Sequence, residues 1–120
     1  MRSNFDVYLK TFFENELRWV ADGGWQRKSW ENANDEMFGE FLMIIYQSWS
    51  VIEENKINFN LTNSQYMQVK KIFDMIESFQ TKIEYPTNRS EHLALLSNQE
   101  WNNIQNYARE TIENIYPKLF

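Results

Sequence analysis

The stretch Met37–Ile52, MFGEFLMIIYQSWSVI, decides how the rest of the chain is read. Its apolar side chains at Met37, Phe38, Phe41, Leu42, Ile45, Trp49 and Ile52 recur at the spacing of one helical face. Ile44, Tyr46 and Val51 widen that stripe until more than half the circumference is apolar, the pattern of a central helix in a bundle. One line stays polar: Glu36, Glu40, Gln47, Ser50 and Glu54, interrupted by Met43. The pattern predicts a helix over about 34–54, with Asp35 and Glu36 in a first turn where the helix dipole favours negative charge.

Working outward toward the N-terminus, Phe5, Leu9, Phe13, Leu17 and Val20 predict a helix over about 4–21, capped by Ser3 or Asn4. Asp22-Gly23-Gly24 should stop it, since glycine commonly follows a helix end. The connection from Trp25 to Ala33 is short, and its two tryptophans have two readings. Trp25 and Trp30 either plug the end of the bundle or stand exposed as anchors for a partner.

Toward the C-terminus, Lys56–Leu61 alternates polar and apolar, as an extended crossover does. Thr62 and Gln65 then form a capping box, with Leu61 and Tyr66 placed as a hydrophobic staple. The helix so begun carries Tyr66, Val69, Phe73, Ile76, Phe79 or Gln80, and Ile83 inward and should end before Pro86. His92–Leu96 has room for one helical turn. Ser97 and Glu100 repeat the box, with Leu96 and Trp101 as staple, and Trp101, Ile104, Ala108, Ile112, Ile115 and Leu119 face inward until about Pro117. The expected fold is all-α: a single-domain bundle, residues 1–120, of about four main helices around the central one.

A chain of 120 residues can bury a real core without metal or disulfide staples, and it contains no cysteine. The N-terminal residues lack the apolar run of a signal peptide, and no stretch approaches the ~18–20 apolar residues of a membrane span. A cytoplasmic location without membrane contact is therefore expected. The net charge of −5 is concentrated. Glu31, Asp35, Glu36, Glu40, Glu53 and Glu54 lie between Lys28 and Lys56 with no Lys or Arg among them, while the flanking segments are close to neutral. Such a distribution disfavours direct contact with nucleic acid and favours a basic partner.

Catalytic constellations are lacking in the sequence. His92 is the lone histidine and has no nucleophile announced near it; Gly23, Gly24 and Gly39 do not form a phosphate loop; no Glu-x-x-His pair suggests a di-iron site. Glu36 with Glu40, and Glu110 with Glu113, have the spacing to share a hard cation, but acids one turn apart are ordinary on solvated faces. No enzyme activity, metal or cofactor is expected. The central acids do break local rules. Glu36 and Glu40 repel one another, at ~0.2–0.5 kcal/mol, and Glu53 and Glu54 oppose the dipole at a helix C-terminus. Either Arg27, Lys28, Arg109 or Lys118 neutralises them in space, or they form an unpaired patch, with Trp30, Tyr46 or Trp49 beside it, shaped for a cationic protein surface.

In size, helical reading and acidic charge the chain resembles the immunity proteins of bacterial contact-dependent growth-inhibition systems. These are cytoplasmic, non-catalytic proteins that bind a cognate toxin domain. It differs from the helical immunity proteins of nuclease colicins in having no adjacent tyrosine pair. The resemblance implies a monomer in a 1:1 complex with a toxin, a basic nuclease being the natural target. It assigns no residue; the expected binding set of Glu31, Asp35, Glu36, Glu40, Glu53, Glu54, Trp30 and Tyr46 comes from the charge map. The alternative expectation is a non-catalytic helical adaptor or regulatory protein, as a homodimer that buries the aromatic surplus.

Overall fold

The computed structural model describes residues 4–33 and 37–120. Among them are seven α-helices, a 3-10 turn and no strand: α1 (Asn4–Glu14), α2 (Glu16–Ala21), α3 (Gly23–Trp30), α4 (Met37–Glu54), the 3-10 turn Lys56–Asn58, α5 (Asn63–Gln80), α6 (Arg89–Leu95) and α7 (Gln99–Leu119). The all-α expectation holds. The first predicted helix is present but bends at Asn15 (φ −110°, ψ −81°), with the ladder carried across by Asn15 N–H to Thr11 O and Trp19 N–H to Asn15 O.

The segment expected to connect the first two long helices is itself mostly helix. Asp22 turns the chain with an extended backbone, and its carboxylate accepts the Trp25 N–H at 2.9 Å, so the residue that ends α2 also caps α3. No described glycine has a positive φ; Gly23 and Gly24 open a helix instead of supplying a left-handed stop. The exposed C-terminal carbonyls of α2 are instead closed by side chains. Gln26 Nε2 donates to Trp19 O and Val20 O, and Arg109 of α7 donates to Ala21 O at 3.2 Å.

The Thr62–Gln65 box is formed as expected, but α5 ends at Gln80, earlier than the proline-based limit. The second box is not formed. Asn98, one residue beyond Ser97, accepts the Trp101 N–H, and Glu100 pairs with Lys82. Residues 92–95 belong to a longer helix, α6, which Asn88 caps and Leu96 closes. The Lys56–Leu61 segment, expected as an extended crossover, is a 3-10 turn over Lys56–Asn58 followed by extended Phe59.

α7 packs most extensively on α2 and α5, and one contiguous core joins all seven helices. Aromatic rings concentrate at two levels of it. Trp30, Phe38, Phe41, Phe79 and Trp101 fill one, and Phe12, Trp49 and Phe73 stack at the other. α4 buries Phe38, Phe41, Leu42, Ile45, Trp49 and Ile52 in that core. Its apolar stripe is not wholly covered. Met43, Ile44 and Val51 remain 55%, 44% and 38% exposed. The stripe is wider than the face its neighbours cover, and the surplus lies outside.

Candidate partner-binding surface

The outer face of α4 begins with Glu40 and continues through Met43, Ile44, Gln47, Val51 and Glu54, all exposed. Glu40, Ile44 and Val51 are four and seven residues apart in turn, so they share one line along the helix. Glu40 and Glu54 stand at opposite ends of that line, ~21 Å apart at 1.5 Å rise per residue. The face is therefore apolar in its middle and anionic at both ends.

The expected acids fall into two groups. Glu31 follows the end of α3 and, like Glu40, is exposed near the start of α4; Glu53 and Glu54 are exposed at its far end. Glu53 Oε2 accepts the Tyr66 hydroxyl at 3.3 Å. Asp35 and Glu36 lie outside the described residues. Arg27, Lys28, Arg109 and Lys118 do not neutralise the described members. Among the described residues the ion pairs are Lys10–Glu14, Lys70–Asp74 and Lys82–Glu100, none of which involves Glu31, Glu40, Glu53 or Glu54.

Trp30 and Tyr46, expected as aromatic contacts for a partner, have internal partners. Trp30 is 1% exposed and meets Phe38, Phe41, His92 and Trp101 edge-on or tilted, so the plug reading applies and the anchor reading does not. Its neighbour Ile44 is the exposed side chain. Tyr46 turns toward α5, where its hydroxyl donates to Phe73 O at 3.2 Å and lies 3.3 Å from Gln80 Oε1. Burial first, then the charges of Glu77, Tyr85 and Asp74, push its pKa from 10.0 to about 12. Tyr46 thus ties α4 to α5 and keeps its proton.

A groove that sequence periodicity did not reveal adjoins the Glu40 end of this face. Trp19 of α2 and Trp25 of α3 stack with ring centroids 5.1 Å apart and planes at 7°, and Trp25 reaches Phe41 at 6.0 Å. With Met37, Glu40 and Ile44 of α4 they line a groove of about 170 Å³. The stack exists because Gln26 holds the α2–α3 corner. Its Nε2 closes the α2 carbonyls, while its Oε1 accepts from Trp101 Nε1 at 2.9 Å and Gln105 Nε2 at 2.7 Å. Both N–H donors and both acceptor lone pairs of this fully buried amide are engaged, across α2, α3 and α7.

The lone histidine is structural. His92 is fully buried; Nδ1 bonds Asn88 O at 2.7 Å and Nε2 accepts the Phe38 N–H at 3.1 Å, which closes a free donor in the first turn of α4. That arrangement requires the neutral ring with its proton on Nδ1. Among the described residues no group of three or more His, Asp or Glu could hold a metal, and no helix is long and apolar enough to cross a membrane.

Comparison with models of protein families, with curated proteins and with solved structures found no match.

Proposed function

We propose that this chain is a stoichiometric protein inhibitor of the immunity type, which binds a cognate toxin domain through the outer face of α4. The observation that carries this reading is a helix face with uncovered apolar residues, Met43, Ile44 and Val51, between carboxylates that have no described basic partner. Exposed apolar side chains supply affinity once covered, at roughly 25 cal/mol per Å², while the acids accelerate encounter with a basic surface. A nuclease is the natural target, because its substrate site must be cationic to hold phosphates. Inhibition then needs no catalysis and no cofactor; a cytoplasmic setting and a 1:1 complex complete the proposal.

An adaptor that pairs with its own copy is the second reading, favoured by the same exposed apolar residues. The charges at the two ends of the face oppose it. Antiparallel pairing across a two-fold axis brings Glu40 near Glu54 of the copy, and parallel pairing brings each acid near itself. Like charges so juxtaposed work against self-association and leave a basic partner as the better complement.

The test is growth of cells that co-express this chain with the C-terminal domain of the protein encoded immediately upstream. The expected result is that this domain alone stops growth and the chain restores it. A domain that is harmless alone, or that kills regardless, overturns the proposal. In the purified complex, Glu40→Lys with Glu54→Lys should slow association at least tenfold. An unchanged rate removes this face as the interface.

A further inference from the structure

We infer that the groove between α2, α3 and α4 is a socket for one arginine side chain of the protein partner, a step that rests on the binding reading above. Its size decides the class of occupant. At about 170 Å³ it falls below the ~300–1,000 Å³ of sites that enclose metabolites, and it takes a single long side chain. Its walls decide the chemistry. The indoles of Trp19 and Trp25 line the groove as a stacked pair, which leaves only the outer ring faces and edges for an occupant, and Trp is the aromatic that attracts a cation best. Glu40 lines the groove and has no ion-pair partner among the described residues, so an occupant that carries positive charge finds a carboxylate already in place.

Among cations, arginine fits better than lysine. A planar guanidinium can lie against an indole face and still direct its N–H fork at a carboxylate. An ammonium is a compact, strongly hydrated point charge that must lose more water to enter an aromatic groove. Met37 and Ile44 supply the apolar surface against which the three methylenes of the arginine stem rest. The socket therefore reads one residue of the partner, while the rest of the α4 face supplies area.

The probe is the blocked tripeptide acetyl-Gly-Arg-Gly-amide, with its citrulline and lysine counterparts, added to the ¹⁵N-labelled full chain. The indole N–H signals of Trp19 and Trp25, assigned from Trp19→Phe and Trp25→Phe variants, should shift with the arginine peptide at a dissociation constant on the order of 1–10 mM. The signal of Trp49, buried and outside the lining of the groove, should stay in place. Citrulline matches arginine in shape but is neutral, so its peptide should give no saturable shift. Lysine should bind at least threefold more weakly than arginine. Glu40→Gln should weaken the arginine peptide at least fivefold, whereas Glu54→Gln, at the other end of α4, should leave it unchanged. Equal shifts with citrulline, equal binding of lysine, or indifference to Glu40→Gln overturn the socket. Growth rescue without a tryptophan shift removes the socket and keeps the toxin-binding reading. A specific shift without growth rescue keeps the socket and removes the toxin.

Discussion

At the scale of single residues, Gln26 and His92 do the most work per side chain, because each closes backbone groups that a broken helix leaves open. Replacing Gln26 by leucine keeps the volume but strips partners from Trp101 Nε1, Gln105 Nε2 and the carbonyls of Trp19 and Val20. Buried groups left unsatisfied cost ~1–3 kcal/mol each, and relaxation and water entry absorb part of the sum, so Gln26→Leu should lower the unfolding free energy by about 2–4 kcal/mol in urea titration. A loss under 1 kcal/mol would show that the amide is dispensable. Gln26→Glu adds a sign that the leucine variant lacks. A carboxylate cannot donate to the α2 carbonyls, so the protonated acid is the form that fits. The folded-state pKa is then raised, and the variant should be most stable in acid and lose stability as pH climbs through that raised value. Tyr46 is the native example of the same direction. Its folded pKa of about 12 exceeds the ordinary 10.0, so the contribution of its protonated hydroxyl is intact below pH 10 and disappears toward 12. An absorbance titration should show one tyrosine ionising last, and Tyr46→Phe should delete that step. The hydrogen-bond partners of Gln26 and His92 were not legible beforehand. Residue type and spacing do not reveal which polar side chain will be surrounded by open helix ends.

At the scale of elements, the long helices were legible and their ends only partly so. α5 opens where its capping box predicts, since Thr62 and Gln65 bond one another's backbone N–H groups. α7 opens one residue late because Ser97 has a competitor: Asn98 accepts the Trp101 N–H, and Lys82, in the turn after α5, draws Glu100 away from the box. Asn98→Ala should therefore cost ~1 kcal/mol and Ser97→Ala close to nothing. Equal losses, measured by thermal unfolding, would restore the original box. The α2–α3 corner was missed for a related reason. Asp22-Gly23-Gly24 does end a helix, but the same aspartate caps the next one, and local rules for a stop say nothing about an immediate restart. α6 was underestimated too. Asn88 caps it, and Glu91 returns its carboxylate to the Thr87 N–H, the Thr87 hydroxyl and the Asn88 amide. Those bonds hold the Glu91 pKa below its ordinary 4.5. Its contribution is thus present above that value and is lost as pH falls through the lower folded one. In an NMR titration Glu91 should ionise below 4.5, and Thr87→Pro, which removes the N–H that matters most, should raise its midpoint.

At the scale of the whole molecule, the width of the α4 stripe was the informative signal: it marked the central helix and also carried a surplus. More apolar circumference than one bundle position needs can mean deeper burial or an outward surplus, and periodicity cannot tell them apart. The packing of α2, α5 and α7 covers one side of α4, so Met43, Ile44 and Val51 become surface. The acids at the ends of that surface were legible from the charge map. The tryptophan groove beside Glu40 was not, because Trp19 and Trp25 meet only through the turn at Asp22. Charge at both ends of an apolar face makes salt a test of what the face is for. Between copies of the chain the acids repel, so added salt, which shrinks the screening length from ~10 Å at 0.1 M to ~3 Å at 1 M, should favour any self-association. Toward a basic partner they attract, and the same salt should slow association. Sedimentation at low ionic strength should give a 14.6 kDa monomer, while the rate of complex formation is at its highest. If instead a stable dimer forms at low salt and Glu40→Lys disrupts it, α4 is a self-pairing face and the inhibitor reading gives way to the adaptor.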